Sequence, residues 1–308
     1  MSENVIEVQH LTRYFGRKAA VQDLSFVVPR GCVFGFVGRN GSGKTTTIRM
    51  LLGLLEPTRG SATVLGHDSR RLSPEIRARI GYLAEGHHVY GWMRVAECGW
   101  FQRRFYSTWN EDVFQGVLRY FRLDPKARVK DLSKGERAGL CLGLALAPEP
   151  ELLILDDPAP GLDPVARRAL LEAMIYVTRQ AERTIFFSSH LLSDVERVAD
   201  RIAVLDAGQL RACCSLEAFR SRVRRVVLRF AGPVPPLPEI PGLLHTLRST
   251  GEIALTIANY DGHTESLLNG LGAARVEDVP LSVEDAFLSY LEDRGERSFL
   301  LPGAGGVQ

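Results

Sequence analysis

The segment Gly38-Arg39-Asn40-Gly41-Ser42-Gly43-Lys44-Thr45 fits GxxxxGK[ST] at every specified position. That pattern dictates its surroundings, because such a loop needs a strand to deliver it and a helix to leave from it. Val33–Val37 is an apolar run entering the loop, and residues 45–55 read as a helix. The glycines let backbone N–H groups turn inward around a polyphosphate with no Cβ in the way. Lys44 can reach the outer phosphates, the Thr45 hydroxyl can ligate Mg²⁺, and the helix turns its positive end toward the anion. The candidate nucleotide contacts are Gly38, Arg39, Asn40, Gly41, Ser42, Gly43, Lys44, Thr45 and Thr46.

Hydrolysis asks for more than a loop: a metal must be held and a water aimed in line. Leu152–Leu155 is a continuous apolar run ending in Asp156-Asp157. A strand buried on both faces of a parallel sheet has this composition. It would carry Asp156 to the metal and Asp157 to the attacking water. Residues 184–188 and 202–205 repeat the strand type, with a helix over 164–180 before the first. Alternation of this kind argues for a mainly parallel sheet. Upstream, residues 5–8 and 24–28 read as short strands, with Pro29-Arg30-Gly31 as a turn.

Near residue 220 the composition changes. Pro233, Pro235, Pro236, Pro238 and Pro241 crowd a stretch that cannot be a helix interior or a central strand. Beyond it, residues 253–257 and Arg275–Val279 read as strands and 264–271 as a helix. A Ser-x-x-Asp box at Ser282 and Asp285 opens a further helix over 282–291. Arg222, Arg224 and Arg225 read as a solvated face. The expected domains are 1–221, a small α+β domain over 222–298, and a flexible tail over 299–308.

At this point the chain resembles the ATP-binding subunits of ABC transporters, over about residues 1–220. Leu132-Ser133-Lys134-Gly135-Glu136 stands where the family has its LSGGQ signature. Pro160-Gly161-Leu162-Asp163 matches the D-loop, and Ser188-Ser189-His190 matches the switch-histidine motif. Phe15 before Gly16 matches the aromatic that stacks on adenine, and Glu85 sits where the family usually has the glutamine of the Q-loop. The resemblance implies an α/β P-loop NTPase cassette with a mainly parallel core sheet, an antiparallel β-subdomain and a helical subdomain. It implies ATP and Mg²⁺ as ligands, with Thr45, Asp156 and Glu85 toward the metal. Asp157, His190 and Glu85 are the implied catalytic residues, and Ser133 and Gly135 the implied contacts to nucleotide on a second ATP-binding subunit. A transmembrane permease is the other implied partner, which would hold the chain on the inner face of the cell membrane. The segment Val279-Pro280-Leu281-Ser282-Val283-Glu284-Asp285-Ala286-Phe287 resembles ABC-2 chains and favours export.

The signature segment also has a local logic. Ser133 and Glu136 form a capping box, so a helix begins there and presents free N–H groups to an anion. Leu140, Leu142, Leu144 and Leu146 alternate as a strand would, but the capping box favours a helix.

Besides Glu85, three positions depart from the family pattern. Lys134 replaces one glycine of the pair, Glu136 replaces glutamine, and Asp157 stands where glutamate is usual. Aspartate is one methylene shorter, which withdraws the carboxylate by about 1.5 Å. Slower turnover with intact nucleotide binding is the consequence to expect. His87 and His88 have no third ligand nearby in sequence and read as polar surface rather than a metal site. Trp92, Trp100, Phe101, Phe105 and Trp109 read from pattern alone as core of a helical layer. The resemblance adds that this region receives the membrane partner's coupling helix.

Bulk properties narrow the alternatives. A net charge of +2 is too small to argue for nucleic-acid binding. Five cysteines without a CxxC pair fit a reducing compartment. No signal peptide is legible at the N-terminus, and no stretch approaches the roughly 20 apolar residues of a membrane span. Relatives of the translation kind carry two cassettes in one chain, and those of the repair kind a long coiled coil; this sequence has one cassette and no heptad run. Two readings remain: an energising ATPase, and a binding module that hydrolyses slowly because of Asp157.

Overall fold

The computed structural model describes residues 3–181, 183–279 and 281–291. Two compact units divide the chain, Met1–Leu216 and Glu217–Gln308. The first unit runs β1 (Asn4–Phe15), β2 (Lys18–Pro29), β3 (Val33–Val37), α1 (Lys44–Leu51), β4 (Arg59–Val64), β5 (His67–Asp68), α2 (Pro74–Ala78) and β6 (Ile80–Leu83). Three helices follow, α3 (Val95–Arg103), α4 (Glu111–Tyr120) and α5 (Lys134–Leu146). The chain then returns through β7 (Leu152–Leu155), α6 (Pro164–Ala181), β8 (Thr184–Ser189), α7 (Leu192–Val198), β9 (Arg201–Asp206) and β10 (Gln209–Ser215).

Six strands form the central sheet in the order β10-β9-β3-β8-β7-β6. All neighbours pair in parallel except β10, which turns back along β9. Strands β3, β7 and β8 are buried at every residue, which is why they lack polar alternation. A second, antiparallel sheet has the order β2-β1-β4-β5. Phe26 of β2 stacks on Phe34 of β3 and Phe186 of β8, at 5.9 and 6.2 Å between ring centroids. These rings, all buried, are the seam between the two sheets.

Helices α3, α4 and α5 make a separate layer around Val95, Cys98, Phe114, Leu118, Leu140 and Leu144. The alternating leucines of α5 are helical, and the Ser133 capping box explains the start. The Ser133 hydroxyl accepts from the Glu136 N–H at 3.2 Å, and the Glu136 carboxylate accepts from the Ser133 N–H at 2.8 Å. Two expectations need correction. The N-terminal strands are each twelve residues long, because bulges at four points of their register absorb the breaks in apolar pattern. Helix α1 stops at Leu51 rather than residue 55, since Gly53 at φ 65° turns the chain out of the helix.

The second unit contains α8 (Leu216–Arg222, beginning on the last residue of the first unit), β11 (Arg224–Arg229), β12 (Leu243–Ser249), β13 (Glu252–Ile257), α9 (Gly262–Asn269), β14 (Arg275–Val279) and α10 (Val283–Leu291). Its antiparallel sheet has the order β12-β13-β11-β14. Val226, Leu228, Ile253, Leu255 and Ile257 bury one face with Leu268 of α9. Arg224 and Arg225 lie on β11, where Arg224 pairs with Asp278 at 3.2 Å and Arg225 donates to the Thr256 hydroxyl at 3.3 Å. The tail expected over 299–308 lies outside the described residues.

Candidate functional site

Parallel pairing puts the carboxyl ends of β3, β8, β7 and β6 side by side on one edge of the sheet, where ligands of such sheets bind. Each strand releases a candidate residue there. Gly38 follows β3, His190 follows β8, Asp156 and Asp157 follow β7, and Glu85 stands two residues beyond β6. An open pocket of about 480 Å³ lies over this edge, lined by Phe15, Lys18, Asn40, Gly43, Lys44, Thr45, Thr46, Glu85 and Asp157, among others.

The loop is held by its own backbone. The Gly38 N–H donates to the Ser189 carbonyl at 3.2 Å, and the Gly208 N–H to the Ser42 carbonyl at 2.9 Å. Gly43 caps α1 at φ 108°, where any Cβ would strike the Ala20 carbonyl. Lys44 is buried, and its ammonium donates to the Gly38 and Arg39 carbonyls at 2.7 and 3.1 Å. Burial pushes its pKa down, while Asp157, Asp156 and Glu85 pull it up.

The aspartates are tied into a network. The Thr45 and Ser188 hydroxyls both donate to Asp156 Oδ1, at 3.1 and 2.9 Å. Burial raises the Asp156 pKa; the two hydroxyl bonds oppose that, and the charges of Glu85 and Asp157 add to it. The Asp157 N–H donates to the Ser188 hydroxyl at 2.9 Å. Asp157 itself is 8% exposed, sits at φ 43°, and meets His190 Nδ1 with its Oδ2 at 2.7 Å.

These oxygens suit a hard dication: one hydroxyl and one buried carboxylate already in contact, with Glu85 lining the same pocket. Asp156 is 1% exposed, and among the described residues its side-chain partners are the neutral hydroxyls of Thr45 and Ser188. Among the described residues no group of three or more His, Cys, Asp or Glu forms a metal site.

Phe15 is half exposed at the pocket rim, with the Arg13 guanidinium 4.8 Å from its ring centroid. Ser133 and Gly135 do not line the pocket. Ser133 is exposed at the start of α5, and Gly135 is buried against Ala166 of α6. His87 is buried, not surface: its Nε2–H donates to the Pro158 carbonyl at 2.9 Å, and burial lowers its pKa. It ties the Glu85 segment to the residue after Asp157. The aromatic segment is also not core. Trp92, Trp100 and Phe105 are 71%, 63% and 69% exposed, and of the five only Trp109 packs on the helical core. Sequence reasoning gave Ser188 no role, although it lay inside a quoted motif; Lys18 carried no signal at all.

Known proteins bear out the family. A family model described as ABC transporter matches residues 21–160. The bacitracin transport ATP-binding protein BcrA of Bacillus licheniformis is 33% identical over 223 residues, 72% of this chain and 73% of its own. The Nod factor export ATP-binding protein I of Bradyrhizobium diazoefficiens is 33% identical over 297 residues, 94% of this chain and 96% of its own. A solved ATP-binding subunit of an ABC transporter superposes with a TM-score of 0.63 at 30% identity, over 70% of this chain and 92% of that one. With the phosphate loop, the aspartate strand and the capped signature helix arranged as above, the chain belongs to the ABC transporter family, among its ATP-binding subunits.

Proposed function

We propose that this chain binds ATP with Mg²⁺ in the 480 Å³ pocket, hydrolyses it, and thereby drives export by a separate membrane-spanning subunit. The convergence of Lys44, Thr45, Glu85 and Asp157 on one pocket, with Asp156 and His190 bonded to two of them, carries the reading. Phe15 would stack on adenine, and the loop N–H groups with Lys44 would hold the phosphates. Thr45, Asp156 and Glu85 would hold Mg²⁺, which when bound offsets charge on the phosphates. Asp157 would orient the attacking water, with His190 fixing its carboxylate. Export is favoured by the similarity to the Nod factor export protein, which extends over 94% of this chain. Among the described residues no helix is long and apolar enough to cross a membrane. The exposed rings of Tyr90, Trp92, Trp100 and Phe105 offer a surface for the membrane partner.

Steady-state ATPase measurement on the chain with its membrane partner tests the proposal. Lys44→Ala should abolish turnover and nearly abolish nucleotide binding, since it removes the ammonium that faces the outer phosphates. Binding within a few-fold of the parent by titration calorimetry would remove the loop assignment. Asp157 in place of glutamate supports a second reading, a nucleotide-binding switch with slow turnover. A kcat that the membrane partner does not raise would favour it.

A further inference from the structure

His190 stands on a short turn, and a half-buried ion pair away from the pocket holds that turn. His190 and Leu191 join β8, which ends at Ser189, to α7. The buried Ser189 hydroxyl accepts from the Leu191 N–H at 3.0 Å, and its proton faces the Leu191 carbonyl at 3.1 Å and Asp194 Oδ2 at 3.5 Å. Asp194, in the first turn of α7, is only 4% exposed. Its Oδ1 accepts from Arg167 Nε at 2.6 Å, and Arg167 Nη2 also donates to the Ser193 hydroxyl at 3.2 Å. A carboxylate this buried is costly to leave without its cation.

Arg167 belongs to the first turn of α6, which Asp163 fixes. Asp163 Oδ1 accepts from the N–H groups of Val165 and Ala166 at 2.9 and 3.0 Å, and its carbonyl accepts from the Arg167 N–H at 2.9 Å. Contacts therefore run from the Asp163 turn through Arg167 and Asp194 to Ser189, whose neighbour His190 meets Asp157. None of the groups in the middle touches the pocket.

We propose that Arg167 is a positioning residue for hydrolysis. Through Asp194 it fixes the Ser189-His190-Leu191 turn against the Asp163 turn, and so holds His190 in register with Asp157. Arginine suits the task because its planar fork engages Asp194 and Ser193 together, which a lysine ammonium cannot do with equal geometry. The proposal rests on the reading of His190 and Asp157 as hydrolytic residues.

The test is a kinetic cycle on the full chain: parent, Arg167→Ala, His190→Ala and the double variant, with kcat, KM for ATP and analogue affinity measured for each. Arg167→Ala should lower kcat by about tenfold while KM and affinity stay within about twofold, because the pair acts on the transition state alone. In the His190→Ala background the same change should cost less than about twofold, since residues acting as one unit are not additive. Arg167→Lys should recover part of the loss, and it serves as the readout if the alanine variant does not fold. Independent, multiplicative losses in the double variant would overturn the proposal while leaving the role of His190 intact. An unchanged kcat in His190→Ala would instead overturn the reading of His190, and the proposal with it.

Discussion

Asp156 has almost no solvent, and its side-chain partners among the described residues are two neutral hydroxyls on one oxygen, with the Lys44 ammonium acting at longer range. A dication nearby is the natural remedy. Asp156→Asn should therefore flatten the Mg²⁺ dependence of nucleotide affinity while leaving metal-free binding largely intact. Titration calorimetry with and without Mg²⁺ reads this directly, and equal enhancement in both proteins would take Asp156 out of the metal shell. Asp157 poses a different question. From sequence, the shorter side chain predicts a carboxylate set back from the water, so that glutamate would speed turnover. The geometry favours the opposite outcome. Asp157 already meets His190 at 2.7 Å, and its φ of 43° is a conformation that aspartate adopts more readily than glutamate. Asp157→Glu should lower kcat by about tenfold or more with affinity preserved, since a misplaced base costs on that scale. A rise in kcat would restore the impaired-site reading. The motif residues Lys44, Thr45 and Asp156 were legible in the sequence because their chemistry fixes their spacing. Ser188 and His87 were not, since their contacts span 31 and 71 residues and arise only when strands become neighbours.

Among the elements, β3 and β7 were legible to the residue, because a strand buried on both faces writes itself as an unbroken apolar run. Strands β11 and β12 were not. The first begins with two arginines that are satisfied across the sheet by Asp278 and Thr256, and the second leaves much of its length exposed. Helix α5 shows capping outweighing side-chain alternation, since the Ser133 box is local and the leucines are buried nearly all round. The aromatic segment misled for the opposite reason: pattern reports which residues are apolar and not whether a partner chain is to cover them. The helical layer itself depends on a close approach of α3 and α4. A Cβ at Gly99 would run into the Phe114 ring, which is 1% exposed and has nowhere to turn. Gly99→Ala should therefore destabilise the chain by about 1–3 kcal/mol despite its better helix propensity. Urea unfolding would show this as a lower midpoint at unchanged slope. A stabilised protein would mean that α3 and α4 can separate freely.

At the scale of the whole molecule, the pocket is incomplete in one respect. Lys44, Glu85 and Asp157 line one side of it, and the lining does not include the capped N-terminus of α5 that the resemblance assigns to phosphate. Ser133 is exposed, while Gly135 packs against Ala166 just after the Asp163 turn. An exposed helix start with N–H groups to spare would suit an anion. Two chains related by a two-fold axis would satisfy both halves, each α5 closing on nucleotide held by the other's phosphate loop. Symmetry of this isologous kind would make two such sites at once, so ATP would act as glue and association would follow its occupancy. The chain should accordingly be monomeric without nucleotide and dimeric with ATP in a hydrolysis-blocked Asp157→Asn variant, as read by light scattering. Ser133→Arg, which sets bulk and charge at the helix start, should abolish the dimer while leaving the affinity of one chain for nucleotide within about twofold, because it touches nothing in the pocket. A mass that does not change with ATP, in this chain alone and mixed with a second ATP-binding subunit, would refute the sandwich and leave the exposed start of α5 without a ligand.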